Sequence, residues 1–452
     1  MYKKIVRLLL FLVIFGGFIP STVNSEMITI KKVPHILSER KVKSGSVQMV
    51  SIDLKNIVPQ NIHKKSGSNK NVSGTVTSKD MVKGQKRIYQ GPDIRVGLLV
   101  GQQEVTVKVL NSLQIKSDKK IFGVYQRGEI LTINRAEKGV RINKKSFPST
   151  VYLEPTNMEP SFSLKGQVYR GLLKIRPSTI EGKVNIINVV PLEIYLQGVI
   201  PCEVIPSWAM DAIKAQAVAA RTYAMYHKNG YEAAGYDVTD DIRSQVYRGY
   251  SAEIGSTNQA VQQTKGEILT YQGKVIDALF HANGGGYTEN SENVWGTYIP
   301  YLRGVKEERS KEVNNVWNKT ISLATFIKSL ANNGYNVGQI KGITLSHLSV
   351  GNNKSKDRGV SGRVKYIVII GNKGEKRITG NDIQSIFGLK STLFDISIKG
   401  KDLIFTGYGF GHGLGLSQWG AEALASKYGN GKDYYKKILS HYFVETKIEK
   451  IY

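Results

Sequence analysis

The chain has 452 residues, enough for two or three domains and a sizeable core. With 41% hydrophobic and 22% charged residues it reads as globular rather than disordered. A formal net charge of +27 points to a polyanionic partner or surface, and a single cysteine, Cys202, excludes an internal disulfide framework and a cysteine-rich zinc site.

Residues 1–25 read as a secretion signal. Lys3, Lys4 and Arg7 form a basic start, Leu8 to Ile19 an apolar run, and Val23-Asn24-Ser25 a small-residue cleavage site. The run is shorter than the roughly 20 residues of a spanning helix. If it is not cleaved, it is expected to anchor the chain to the outer face of the cytoplasmic membrane. Either way the bulk of the chain is expected to be extracytoplasmic, secreted or anchored, which argues against nucleic acid as the partner of its positive charge. Residues 26–90, with SGSNKNVSGTVTSKD in the middle, are polar and lysine-rich and read as a basic linker or disordered arm.

From Pro92 the pattern changes. Ile94–Val100, Val105–Leu110, Ile130–Asn134, Val168–Ile175 and Val184–Val190 are short apolar runs separated by turn residues, which predicts strands. Residues 91–183 are therefore expected to form a β-rich N-terminal part.

The next stretch is PLEIYLQGVIPCEVIPSWAMDAIKAQAVAARTYAMYHK, Pro191 to Lys228. Its first half reads as a proline-punctuated apolar segment carrying one acid, Glu203. Its second half, dense in alanine, predicts a helix from Trp208 to Lys228, with Ser207 as the cap and Trp208, Ala212, Ala215, Ala219 and Tyr223 on one apolar stripe. So many small residues on one long helix imply close packing on both sides. Asp211, Lys214, Val218 and Arg221 share a stripe, so both cations are expected on one side. Val199, Ile200, Val204 and Ile205 desolvate Glu203 and raise its pKa, which suits a general acid. A following helix N-terminus, Lys214 or Arg221 would pull it down.

Asn258–Thr264 predicts a helix, followed by a hairpin about Tyr271-Gln272-Gly273-Lys274. FHANGGGYTENSENVWG, residues 280–296, sets three glycines among His281, Asn283, Tyr287, Glu289, Asn293 and Trp295. Polar groups beside aromatic rings are what a sugar requires for hydrogen bonds and stacking. Residues 306–400 read as an inserted α/β subdomain, with a helix at Leu323–Asn332, strands at Gly342–Val350 and Val364–Gly371, and a strand then a short helix over Lys376–Phe387. In GYGFGHGLGLSQWGAEALA, residues 407–425, glycine alternates with Tyr408, Phe410, His412 and Leu414, which predicts a strand with one bare face. Ser417 is expected to cap the helix that follows, with Gln418 at its start.

The segment from Pro191, the 280–296 block and the 407–425 block, in that order, resemble the SpoIID/LytB family, the stage II sporulation protein D group; the resemblance spans roughly residues 92–452. It implies a lytic transglycosylase of peptidoglycan, or a non-catalytic enhancer of a cell-wall amidase. On the first reading Glu203 is the acid/base, and Lys214 and Arg221 position substrate or tune it. His281, Asn283, Tyr287, Glu289, Asn293, Trp295, His412, Ser417 and Gln418 line the glycan groove. The implied partners are peptidoglycan glycan strands and a wall amidase, with the membrane reached only through the N-terminal segment. Some family members hold zinc through a His/Cys cluster near the glycine-rich block. This chain has His281 there but no cysteine, so no cofactor is expected. The fold expected is α+β: a long buried alanine-rich helix packed on mixed β-structure, with residues 184–305 and 401–452 forming one core around the insertion.

Overall fold

The computed structural model of the protein describes residues 91–452 apart from 119, 352–354 and 430–431. The signal and arm readings for residues 1–25 and 26–90 lie outside the described residues.

The fold is α+β. A seven-stranded sheet runs in the order Val238–Thr239, Asp93–Gln102, Val184–Pro191, Leu172–Pro177, Val151–Pro155, Leu113–Ser117, Lys120–Tyr125. A six-stranded sheet built around Glu104–Val109 and Ile130–Arg135 shares its core, with Val96, Leu153 and Ile186 of the first sheet meeting Val107, Leu131 and Phe147 of the second. The strand Val184–Pro191 is almost wholly buried and pairs antiparallel on both edges, Ile187 lying opposite Gly97 and Lys174. Its apolar run lets it sit mid-sheet, and it fixes where the next helix begins.

That helix, α1 (Leu192–Glu203), was not expected from the sequence. Gly198 and Pro201 inside it are helix-breaking residues, and they made the segment read as irregular. Tertiary burial overrides them: Leu192, Tyr195, Leu196, Val199 and Ile200 all enter the sandwich core. Helix α2 (Met210–Tyr226) follows. It starts two residues later than its predicted start, and Ser207 does not cap it. Its first donors are met from elsewhere, Ala209 N donating to Glu422 Oε2 at 3.0 Å.

Two cores meet on α2. Ile213, Ala217, Ala220 and Ala224 face the sandwich. Ala212, Ala215, Val218 and Ala219 face a second core with Leu416, Ala421, Ile438, Leu439 and Phe443 from the C-terminal segment. Alanine on both sides lets two layers approach a helix about 25 Å long.

Residues 316–408 build a third core, in which Trp317, Phe326, Phe387, Phe394 and Phe405 pack together. Its strands are Val316–Ser322, Asp402–Tyr408 and Phe394–Lys399 in one sheet, and Ile340–Thr344, Tyr366–Gly371 and Gly374–Thr379 in another. Ile340–Thr344 is shorter than the expected Gly342–Val350 and lies earlier in the chain. The helix at Leu323–Asn332 falls where its pattern places it.

The glycine-alternating segment is not an extended strand beyond Tyr408. Gly409, Gly411, Gly413 and Gly415 all have positive φ, between 67° and 105°. A Cβ at Gly415 would stand 2.1 Å from Leu279 O, and one at Gly409 2.8 Å from Asn283 O. The glycines serve left-handed turns and close backbone approach rather than a bare strand face.

Candidate functional site

Glu203 is the last residue of α1, and Val204 beyond it is extended. The sequence suggested a helix N-terminus acting on this carboxyl. The structure instead sets it at a C-terminus, whose partial negative charge favours the protonated form. Burial pushes the carboxyl up to about 7, against two hydrogen bonds that lower it, from Val246 N and from the Gln418 side chain. Val246 N donates to Oε1 at 3.2 Å. No cation is paired with Glu203 among the described residues.

The Val246 donor is held from both sides. Gln245 and Tyr247 are each 1% exposed. Tyr195 Oη donates to Gln245 Oε1 at 3.1 Å, and Gln245 Nε2 donates to Ala220 O at 3.3 Å. Tyr247 Oη donates to Asn188 Oδ1 at 2.8 Å. A backbone N–H has no sequence signature of its own, so the sequence could point to it only through the Gln-Val-Tyr stretch around it.

Gln418 opens the helix Gln418–Tyr428. Ser417 caps that helix as expected, Oγ accepting from Gly420 N at 3.3 Å and also from Gly284 N at 3.1 Å. The cap turns Gln418 onto Glu203, making it the one sugar-contact candidate that touches the acid. Beside it Trp419 meets Trp208 edge-on, ring centres 4.8 Å apart. Tyr223 of α2 lies within electrostatic reach of Glu203 and packs edge-on against Phe280 at 6.2 Å. None of Trp208, Trp419, Tyr223 or Phe280 was singled out from the sequence as a site residue.

From Phe280 the contacts run outward. His412 Nδ1 accepts from Leu414 N at 3.0 Å, so Nε2 carries the proton and donates to Phe280 O at 3.1 Å. Burial and nearby Arg363 hold His412 down at about 4, which keeps it neutral. His281 is 2% exposed and donates from Nδ1 to Leu414 O at 3.1 Å. Burial, His412 and Arg363 hold its pKa well below the usual value. The two imidazole rings lie 5.3 Å apart, and the exposed Trp295 ring covers His412 at 5.8 Å. An exposed indole on a neutral histidine is a flat surface on which a sugar ring can stack.

Other candidates are architectural. Arg221 is fully buried and bonds Glu193 through Nε (2.8 Å) and Nη2 (2.7 Å), its remaining donors meeting Val261 O, Thr264 Oγ1 and Glu267 O. The shared stripe did not bring it to Glu203, because α1 presents Glu193 to it instead. Lys214 is directed to the C-terminal helix, its ammonium 5.5 Å from the Tyr435 ring centre. The expected pairing of these cations with Glu203 is therefore not formed: Arg221 is committed to Glu193, and Lys214 lies against Tyr435.

Glu289 is also fully buried, and its carboxylate takes N–H bonds from Asn290, Val360, Ser361 and the Asn293 side chain, plus the Ser361 hydroxyl at 2.6 Å. A Cβ at Gly359 would lie 2.2 Å from that carboxylate. Glu289 thus fastens the loop at 357–363, while Asn293 donates to it and stays partly exposed. Asn283 donates to Glu312 O at 2.7 Å and accepts from Gly285 N, clamping the glycine turn. Tyr287 gives its carbonyl to Arg363 Nη1 at 3.1 Å and stays partly exposed. Glu307, which the sequence did not single out, lies buried beneath the same turn and accepts from Gly286 N at 2.7 Å; burial raises its pKa.

Cys202 donates weakly to Gly198 O at 3.6 Å, and burial and Glu203 push its thiol up to about 12. Among the described residues no three His, Cys, Asp or Glu side chains converge so as to hold a metal ion.

Residues 180–271 match the model of the stage II sporulation protein family, SpoIID, and residues 303–415 match a domain of unknown function, DUF8618. The first match takes in Glu203, and the second covers the third core. An uncharacterized protein of Brachyspira hyodysenteriae is 33% identical over 360 residues, covering 76% of this chain and 91% of that protein. Stage II sporulation protein D of Bacillus subtilis is 33% identical over 280 residues, 58% of this chain and 75% of the relative. The amidase enhancer of the same organism is 30% identical over 385 residues, 76% of this chain but 52% of the relative.

Proposed function

The chain belongs to the SpoIID/LytB family, and on that premise we propose that it is a peptidoglycan lytic transglycosylase with Glu203 as its single acid/base. The family membership and the likeness to an amidase enhancer support a role at the cell wall. The observation that carries the catalytic reading is the state of Glu203: partly open to solvent, free of any counter-cation among the described residues, and held near 7 by burial. A general acid works best with a pKa near the working pH.

Glu203 protonates the glycosidic oxygen as the bond from the muramic acid C1 to that oxygen breaks. The carboxylate left behind takes the proton of the same sugar's C6 hydroxyl, whose oxygen closes on C1. The product is a 1,6-anhydro ring and the proton returns to Glu203. No second carboxylate is needed, in contrast to ordinary glycoside hydrolysis, which requires a pair. The Val246 N–H holds one carboxylate oxygen while Gln418 supports the charged form between the two half-steps. Trp208–Trp419 and Trp295–His412 offer flat apolar faces for neighbouring sugars.

The test is to digest peptide-free glycan strands in water enriched in oxygen-18. Anhydro-muramic ends without label are expected. Reducing ends carrying label would make the protein a hydrolase and overturn the reading. The second reading, a non-catalytic enhancer of a wall amidase, draws on the amidase-enhancer relative. It requires that Glu203→Gln stimulate an amidase as well as the wild type does.

A further inference from the structure

Three large apolar side chains stand in water at the far edge of the seven-stranded sheet, Ile121 60% exposed, Phe122 37% and Val124 47%, and a fourth, Ile130 of the six-stranded sheet, is 61% exposed. In a strand with one covered face, alternate residues are buried. In Lys120–Tyr125 the first five residues are all exposed, so the strand is bare on both faces. It is the last strand of its sheet, and among the described residues nothing pairs with its outer edge.

The side chains stand on both sides of this edge: Ile121 and Val124 lie opposite Lys116 and Gln114, while Phe122, at an irregularity in the register, meets Phe147 edge-on with ring centres 5.3 Å apart. Phe122 O accepts from Lys145 Nζ at 3.3 Å, and that ammonium lies 5.2 Å from the Phe122 ring and 5.5 Å from the Phe147 ring. Asn143, two residues before Lys145, donates to Ile130 O at 3.5 Å. Exposed cations lie in the same strands and turns: Lys120, Arg127, Lys144 and Lys145. Two acids stand beside them, Asp118 accepting from Ser149 Oγ and Glu129 from Gln126 N, and the four cations outnumber them.

We propose that this edge docks on the surface of an anionic lipid bilayer. Exposed apolar side chains beside an excess of lysine and arginine match the acyl boundary and the phosphate layer together. At that depth the unpaired strand edge stays among headgroups and water, where its N–H and C=O groups find partners. An isologous dimer through this edge would bring like cations face to face. A single added peptide strand would pair along one edge of Lys120–Tyr125 and leave Ile130, which belongs to the other sheet, uncovered. The proposal does not depend on the chemistry at Glu203.

The test is flotation of the protein without residues 1–25 on vesicles of equal phosphatidylglycerol and phosphatidylcholine, and on pure phosphatidylcholine. Binding to the anionic vesicles alone is expected. Ile121→Ser with Val124→Ser and Ile130→Ser should weaken it by about tenfold or more, as should Lys120→Glu with Lys144→Glu. Lys447→Glu with Lys450→Glu, which removes as much charge from a distant exposed strand, should change it less than about twofold. Near-ultraviolet circular dichroism confirms that each variant is folded. Equal losses from both charge-reversed pairs, or wild-type binding by the folded serine variant, would overturn the proposal. So would sedimentation as a dimer that the serine variant abolishes, with no vesicle binding.

Discussion

Arg221 and Glu193 form a two-bond ion pair, Nε to Oε1 at 2.8 Å and Nη2 to Oε2 at 2.7 Å, inside the layer where α1 meets α2. Tyr452 Oη and Gly266 N also donate to Glu193 Oε1. Glu193 and Glu203 are thus two acids at opposite ends of one helix with opposite circumstances. One is neutralised and serves to assemble the fold. The other has no counter-charge among the described residues, and its proton stays available.

Breaking the Arg221–Glu193 pair from one side is expected to leave a buried charge alone, at a cost of about 3–5 kcal/mol. Arg221→Met should lower the denaturant midpoint accordingly, whereas Lys214→Met should leave glycan cleavage within about twofold of wild type. Equilibrium unfolding together with a cleavage assay separates the two. A selective loss of activity in Lys214→Met would return that lysine to the catalytic site.

Glu203 should also cost the protein stability at neutral pH. A carboxyl whose pKa rises on folding holds its proton more tightly in the folded state. Its penalty is therefore absent below the unfolded value near 4.5, grows as the pH rises, and is complete above about 7. Glu203→Gln is expected to be more stable than wild type at pH 8, by at most about 3 kcal/mol, and equal to it at pH 4. Thermal unfolding at both values checks this. In the wild type the same proton sets the rate, so kcat/KM should fall as the pH climbs through about 7.

Glu289→Gln replaces an oxygen that faces only donors with an NH2 group. One or more of its five hydrogen bonds must break and donors must face each other, costing about 2–4 kcal/mol. The melting temperature should drop while turnover per folded molecule is kept. Retained stability with lost turnover would place Glu289 in the chemistry instead.

Cys202 adjoins the acid but is expected to be inert. With its thiol pushed up to about 12, almost no thiolate forms near neutrality. Iodoacetamide at pH 7.5 should leave the folded protein unlabelled by intact mass, and Cys202→Ala should cleave glycan normally.

The alanine-rich helix α2 was legible because so many small residues on one long helix leave few alternatives to burial on both sides. The cap at Ser417 and the helix at Leu323–Asn332 were legible because such signals are local. Helix α1 was hidden by Gly198 and Pro201, since propensity cannot register burial of Leu196, Val199 and Ile200 in a core built from distant strands. The partners of Arg221 and Lys214 were hidden for a related reason. A helical stripe tells which residues share a side, and the neighbouring elements decide what stands opposite. Gln418 and Glu203 come from distant parts of the chain, and the Val246 donor is main chain, so only the fold brings the three together. The alternating glycines signalled close backbone approach correctly, but their positive φ values bend the segment away from a strand.

The most direct measurement of the central claim is mass spectrometry of purified glycan strands after incubation with wild type and Glu203→Gln side by side. The account predicts 1,6-anhydro-muramic ends from the wild type and uncut strands from a folded Glu203→Gln. Equal anhydro ends from both proteins would contradict it, because the acid would then lie elsewhere.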